Sequence, residues 1–204
     1  MDAPANTFGW LGEFRDRQTE SDFRNASLAT TRRFNVGGSL VVLLATVILA
    51  INDYTEAGAV TGVIAARNAQ SLLALACCYV SFRFDRWQWV YGGSYLLALA
   101  IVMGAAWIDY TRPADYLLHL GLDVVIIFAI YAAVPGIRWQ LGFAVAYSVV
   151  LMWLHVSLKL PAYDMANITV PVSLLLANGI ALATSVSHGL TRRELWSATR
   201  ATST

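Results

Sequence analysis

Asp115, His119 and Asp123 recur at four-residue spacing inside an otherwise apolar stretch. On a helix that spacing stacks the three side chains on one face, with Asp123 about 12 Å along the axis from Asp115. Ionisable groups are costly in lipid, so such a stripe must face a bundle interior and marks a functional candidate. His155 and Lys159 form a second pair four residues apart, while Asp53, Arg67 and Asp109 stand near the ends of other apolar runs. Together with Gln70 and Ser71 they predict a polar chamber opening at one membrane surface.

Three chemistries fit that chamber. An Arg67–Asp123 ion pair would fix helix register and nothing more. A pocket built from Asp53, Arg67, Asp109, His119, Asp123 and His155 would bind a small molecule or ion. His119, Asp123 and His155 are the candidate ligands for a divalent metal, and the two imidazoles at similar depth on different runs also suit haem.

The elements that position these residues follow from composition. The 204-residue chain is 57% hydrophobic and only 13% charged, against about a quarter charged in soluble domains. A net charge of +1 gives no field for nucleic acid, which is not an expected partner. Six runs of about 20 apolar residues match the hydrocarbon thickness: 34–52, 62–82, 87–107, 116–134, 139–158 and 168–188. No alternation typical of a β-barrel is present, and helices alone satisfy their own backbone in lipid. Short connections, with a Pro135–Gly136 stop, predict an all-α integral membrane protein folded as a six-helix up-and-down bundle in the lipid bilayer.

Three parts result: a polar segment 1–33, a membrane domain 34–188 and an exit helix or tail 189–204. Trp10, Leu11, Phe14, Phe23 and Leu28 are interleaved with charges in residues 8–33. They predict an amphipathic helix lying on, or packed beneath, the membrane face. Eleven of the fourteen Lys and Arg residues fall on one side of the six runs, which places both termini in the cytoplasm. Trp87, Trp89, Trp139 and Trp196 mark the inner boundary, and Tyr54, Trp107, Tyr110 and Tyr163 the outer. The polar start carries no cleavable signal peptide.

Cys77 and Cys78 are adjacent within an apolar run, a poor arrangement for a disulfide or zinc site, and read as small fillers. Small residues at Gly37–Gly38, Gly92–Gly93 and Gly179, Ala183 and Ser187 permit close helix approach, within one chain or between two. Neither a nucleophile elbow, a P-loop, a zincin motif nor a kinase signature occurs, so this chain is not expected to be an enzyme by itself.

The stretch EFRDRQTESDFRNASLATTRRFN, a first run ending ILAIND, Arg67 opening the second, and the closing LLLANGIALATSVSHGLTRRELW carry a resemblance. In order and position they resemble the six-span sensor or anchor regions of bacterial membrane-bound nucleotide cyclases, of the class III adenylate cyclase or diguanylate cyclase kind. The resemblance is diffuse but spans nearly the whole chain; it departs in SHGLTRREL, where a glutamate often precedes the arginines. It implies a bacterial inner-membrane protein and a homodimer, with the helix from about Gly189 leading to a cytoplasmic cyclase module. It also implies an outward pocket at Asp53, Arg67, His119 and Asp123 that senses an unidentified small ligand. Competing expectations are a small transporter or channel, and a haem-binding or structural subunit of a membrane complex.

Overall fold

The computed structural model describes residues 8–9, 13–57, 61–111, 116–157 and 166–202, with backbone alone at 52–53, 55–57, 61, 116–119 and 166–168. Seven helices carry the described chain: α1 (Arg17–Ala26), α2 (Leu28–Ala57), α3 (Thr61–Arg83), α4 (Trp87–Thr111), α5 (Tyr116–Ala133), α6 (Ile137–Ser157) and α7 (Ala166–Thr202). Among the described residues there is no strand, only an isolated bridge between Phe8 and Phe14.

Five segments are long and apolar enough to cross a membrane: Leu28–Ile51, Gly62–Arg83, Trp87–Thr111, Ile137–Ser157 and Thr169–Thr202. The described apolar part of α5, Leu120–Ala133, is shorter. Helix α2 shows which solvent the fold is built for. Its buried positions are polar (Asn35, Ser39 and Thr46), while Leu40, Leu44, Val47 and Ile51 are more than half exposed. That inversion suits lipid and not water, because an apolar surface of this extent is unfavourable in water. The chain is a multi-pass membrane protein.

Two groups of three helices make up the bundle. In one, α3 packs between α2 and α4; in the other, α5 and α6 both pack on α7, and α4 joins the groups by packing on α5 and α6. The larger core is drawn from α4 to α7 and centres on Ile127, Ala144, Tyr147, Leu151 and Val170. The smaller places Cys77 with Ala74 and Leu97, and Gly93 lets α4 approach the Cys77 backbone to within 3.7 Å of where a Cβ would stand. Both cysteines are free.

Lipid gives helices no hydrophobic reason to associate, so polar side chains and close packing set the register. Asn35 supplies such a node. Its Nδ2 donates to Ser81 Oγ at 3.1 Å and to the Val90 carbonyl at 3.0 Å, and Ser94 Oγ donates to its Oδ1 at 2.6 Å. One buried amide thus ties α2, α3 and α4 together. The turn into α6 needs Gly136, whose φ of 85° is strained for residues with a Cβ.

Sequence and structure place some boundaries differently. Helix α2 starts at Leu28, ahead of the apolar run at 34, because Leu28–Arg33 lacks any helix breaker and extends the span beyond its apolar part. Helix α7 runs unbroken for 37 residues, so of the exit helix or tail expected from 189 the described part is helix continuous with the last span, with Pro171 tolerated near its start. The helix in the first segment is only 10 residues, Arg17–Ala26, and is set off from α2 by Ser27.

Candidate functional site

Asp123 is 1% exposed on α5, and the phenolic hydroxyl of Tyr147, itself fully buried on α6, donates to its Oδ1 at 2.5 Å. Asp109 and His155 are also buried. Arg67 donates to Gln70 Oε1 on its own helix, and Gln70 Nε2 reaches the Ile101 carbonyl of α4, both at a long 3.5 Å. The bonds described for Arg67 and Asp123 therefore run to Gln70 and Tyr147. The side chains of Asp53 and His119 lie outside the described residues, as does Asp115. Among the described residues no three His, Cys, Asp or Glu side chains converge as a metal site; His119 of the expected set is not among them.

Ser148, the residue after Tyr147 on α6, meets α7 instead. Asn178 Nδ2 donates to Ser148 Oγ at 2.8 Å, and Tyr131 of α5 donates to Asn178 Oδ1 at 3.4 Å. Further along α7, Ser185 Oγ donates to Gln140 Oε1 at 2.6 Å, and Gln140 Nε2 donates to the Val134 carbonyl at 2.7 Å. Arg193 and Arg200 follow, engaging Glu20 and Asp22 of α1. The four α7 residues stand seven, eight and seven positions apart. Two helical turns take about 7.2 residues, so one face of a single helix runs from membrane interior to arginine-rich end.

At that end the first segment forms a clamp. Asp16 caps α1 by accepting from the Thr19 amide at 2.7 Å, and the Thr19 hydroxyl and amide together hold its carboxyl below the ordinary range. Glu20 then faces inward, 8% exposed. Its carboxylate accepts from Arg193 Nη2 at 3.0 Å, Arg193 Nε at 3.3 Å, Arg24 Nε at 2.9 Å and the Phe14 amide at 3.1 Å. Burial alone would push its pKa up, but Arg193, Arg24 and the Phe14 amide together pull it below its ordinary 4.5. Phe14, Phe23 and Trp196 pack edge to face around this pair at 5.6–5.9 Å, and the Arg193 guanidinium lies 4.7 Å from the Phe23 ring centre.

The same segment touches the other connections. Glu13 lies 3.5 Å from Arg138 at the start of α6, and Arg24 sits 4.8 Å over the Trp87 ring that opens α4. Arg32 of α2 pairs with Asp85 at 2.6 Å. Sequence reasoning overlooked Glu20, because one acidic residue among several in an arginine-rich segment reads as solvated. It also overlooked Tyr147, whose one signal was a tyrosine far from either aromatic boundary. No protein-family model, no curated protein and no solved structure matches the chain.

Proposed function

We propose that the chain is a membrane-embedded receiver whose output helix is α7. The observation that carries this is the polar face of α7, continuous from Asn178 through Ser185 to Arg193 and Arg200. A ligand biases a two-state bundle only by favouring one arrangement, and a rigid helix spanning both ends is the simplest element able to carry that bias. The inputs are changes at the buried Asp123–Tyr147 pair, brought about by a small molecule or ion entering from the outer side. The output is a cytoplasmic nucleotide cyclase module, as the sequence resemblance implies, working as a homodimer.

Parity supports six crossings. Glu20 and Asp22 of α1 touch Arg193 and Arg200 of α7, so the chain enters and leaves the bundle at one end. The number of crossings between is then even, and α5 is the sixth. Its 18 residues rise about 27 Å, close to the hydrocarbon thickness. The excess of arginine at the shared end supports a cytoplasmic side for it, in the bacterial inner membrane that the sequence resemblance implies.

The test joins a diguanylate cyclase catalytic domain after Thr204 and measures cyclic-nucleotide output in cells. Asp123→Asn and Glu20→Gln are each expected to shift output by at least about fivefold, the lower range of allosteric couplings. Unchanged output from both variants at equal expression would sink the proposal. The buried carboxylates Asp109 and Asp123 also fit a transporter, but in the half of the six apolar runs nearer the arginines no Asp or Glu continues that line, and the one histidine there, His188, stands at the very end of its run. Flux in proteoliposomes that disappears in Asp123→Asn would favour that second reading.

A further inference from the structure

A cavity of about 450 Å³ opens at the arginine-rich end, bounded by the start of α2, the end of α5 and the second half of α7. This is the opposite end from the expected chamber, and its volume lies within the roughly 300–1,000 Å³ of small-ligand sites. Its lining mixes two kinds of group: Arg192 and the hydroxyls of Ser27, Thr30 and Thr31, and the aromatic rings of Phe34 and Phe128. Among the described residues no Asp or Glu lines it. The neighbouring Arg193 is occupied by Glu20, whereas Arg192 has no acidic partner among the described residues. Phe34 and Phe128 are 57% and 39% exposed, so both rings also reach the lipid-facing surface.

We propose that this cavity seats the headgroup of an anionic phospholipid, with its phosphate against Arg192 and its acyl chains leaving past Phe34 and Phe128. Three features select this occupant. The lining carries positive charge with no carboxylate to oppose an anion. Hydroxyl and guanidinium donors match the acceptor oxygens of a phosphodiester. The boundary between Arg32–Arg33 and the apolar run of α2 puts the cavity at headgroup depth, where basic pockets between helices bind anionic lipid. A soluble phosphate would use Arg192 and the hydroxyls and leave Phe34 and Phe128 without a role. The site does not depend on the role assigned to α7.

The full chain, purified and placed in mixed nanodiscs, is examined by native mass spectrometry for retained lipid. Phosphatidylglycerol is expected to be retained in preference to phosphatidylcholine. Arg192→Gln should lower that preference about fivefold, the effect of one basic residue at a membrane surface. Arg192→Lys should preserve most of it and shows that the position tolerates replacement. Arg83→Gln removes the same charge from an exposed site at the same end, away from the cavity, and should change nothing. Equal retention of the two lipids, or an Arg192→Gln variant that behaves as wild type, overturns the site. So does an Arg83→Gln loss as large as that of Arg192→Gln. Displacement of the lipid by millimolar inorganic phosphate reassigns the cavity to soluble anions and overturns the lipid proposal.

Discussion

Glu20→Gln is expected to release α1 from α7 and lower the local stability of Phe14–Ala26 by about 2–3 kcal/mol. The amide retains the shape of the carboxylate but not its charge. It leaves the Arg193 side chain, 12% exposed, without its ion-pair partner. Amide hydrogen exchange in α1 should then run about 30- to 150-fold faster, at 1.4 kcal/mol per tenfold. A pH series gives a second readout. Because the folded-state pKa of Glu20 lies below its ordinary 4.5, its contribution is fully present above that pH. It is lost as pH falls through the lowered value. Protection of α1 should decline on acidification in the wild-type chain, and Glu20→Gln should flatten that decline. Exchange in α1 that matches wild type would mean the carboxylate contributes nothing to docking.

The second large effect concerns Asp123 and Tyr147. Tyr147→Phe removes the donor to a carboxyl group buried in the bundle, with an expected loss of about 2 kcal/mol. Asp123→Leu removes the carboxylate that accepts from the Tyr147 hydroxyl, and is expected to cost about 3 kcal/mol. Because both act on one bond, the double variant should lose at least about 1 kcal/mol less than the two single losses combined. Denaturation of the reconstituted protein measures all three. Strict additivity would show that the 2.5 Å bond adds no coupling to the fold.

Lipid makes some of this architecture legible from sequence and hides the rest. Helices α3, α4 and α6 could be read within a few residues, because a span must be about 20 residues and apolar. For α7 the sequence left an exit helix or a tail open beyond 188, because the partners of Arg193 and Arg200 lie on α1, far away in sequence. The burial of Asp109, Asp123 and His155 follows from the cost of charge in hydrocarbon. The Tyr147 bond to Asp123 does not, because Tyr147 looks apolar in sequence and which side chains meet a buried carboxylate depends on helix rotation. The cavity beside Arg192 was invisible for a related reason. Ser27, Thr30 and Thr31 come from α2 and the residue before it, Arg192 from α7, and no pattern within either stretch points to the other.

The claim at the centre is that α7 couples the membrane-buried carboxylate to the clamp at the arginine-rich end. Amide hydrogen exchange of Arg17–Ala26 in the full chain, comparing wild type with Asp123→Asn, tests it most directly. Coupling predicts exchange in α1 at least about fivefold faster in the variant, although Asp123 lies on a different helix and makes no described contact with α1. A folded Asp123→Asn protein whose α1 exchanges at the wild-type rate would contradict it.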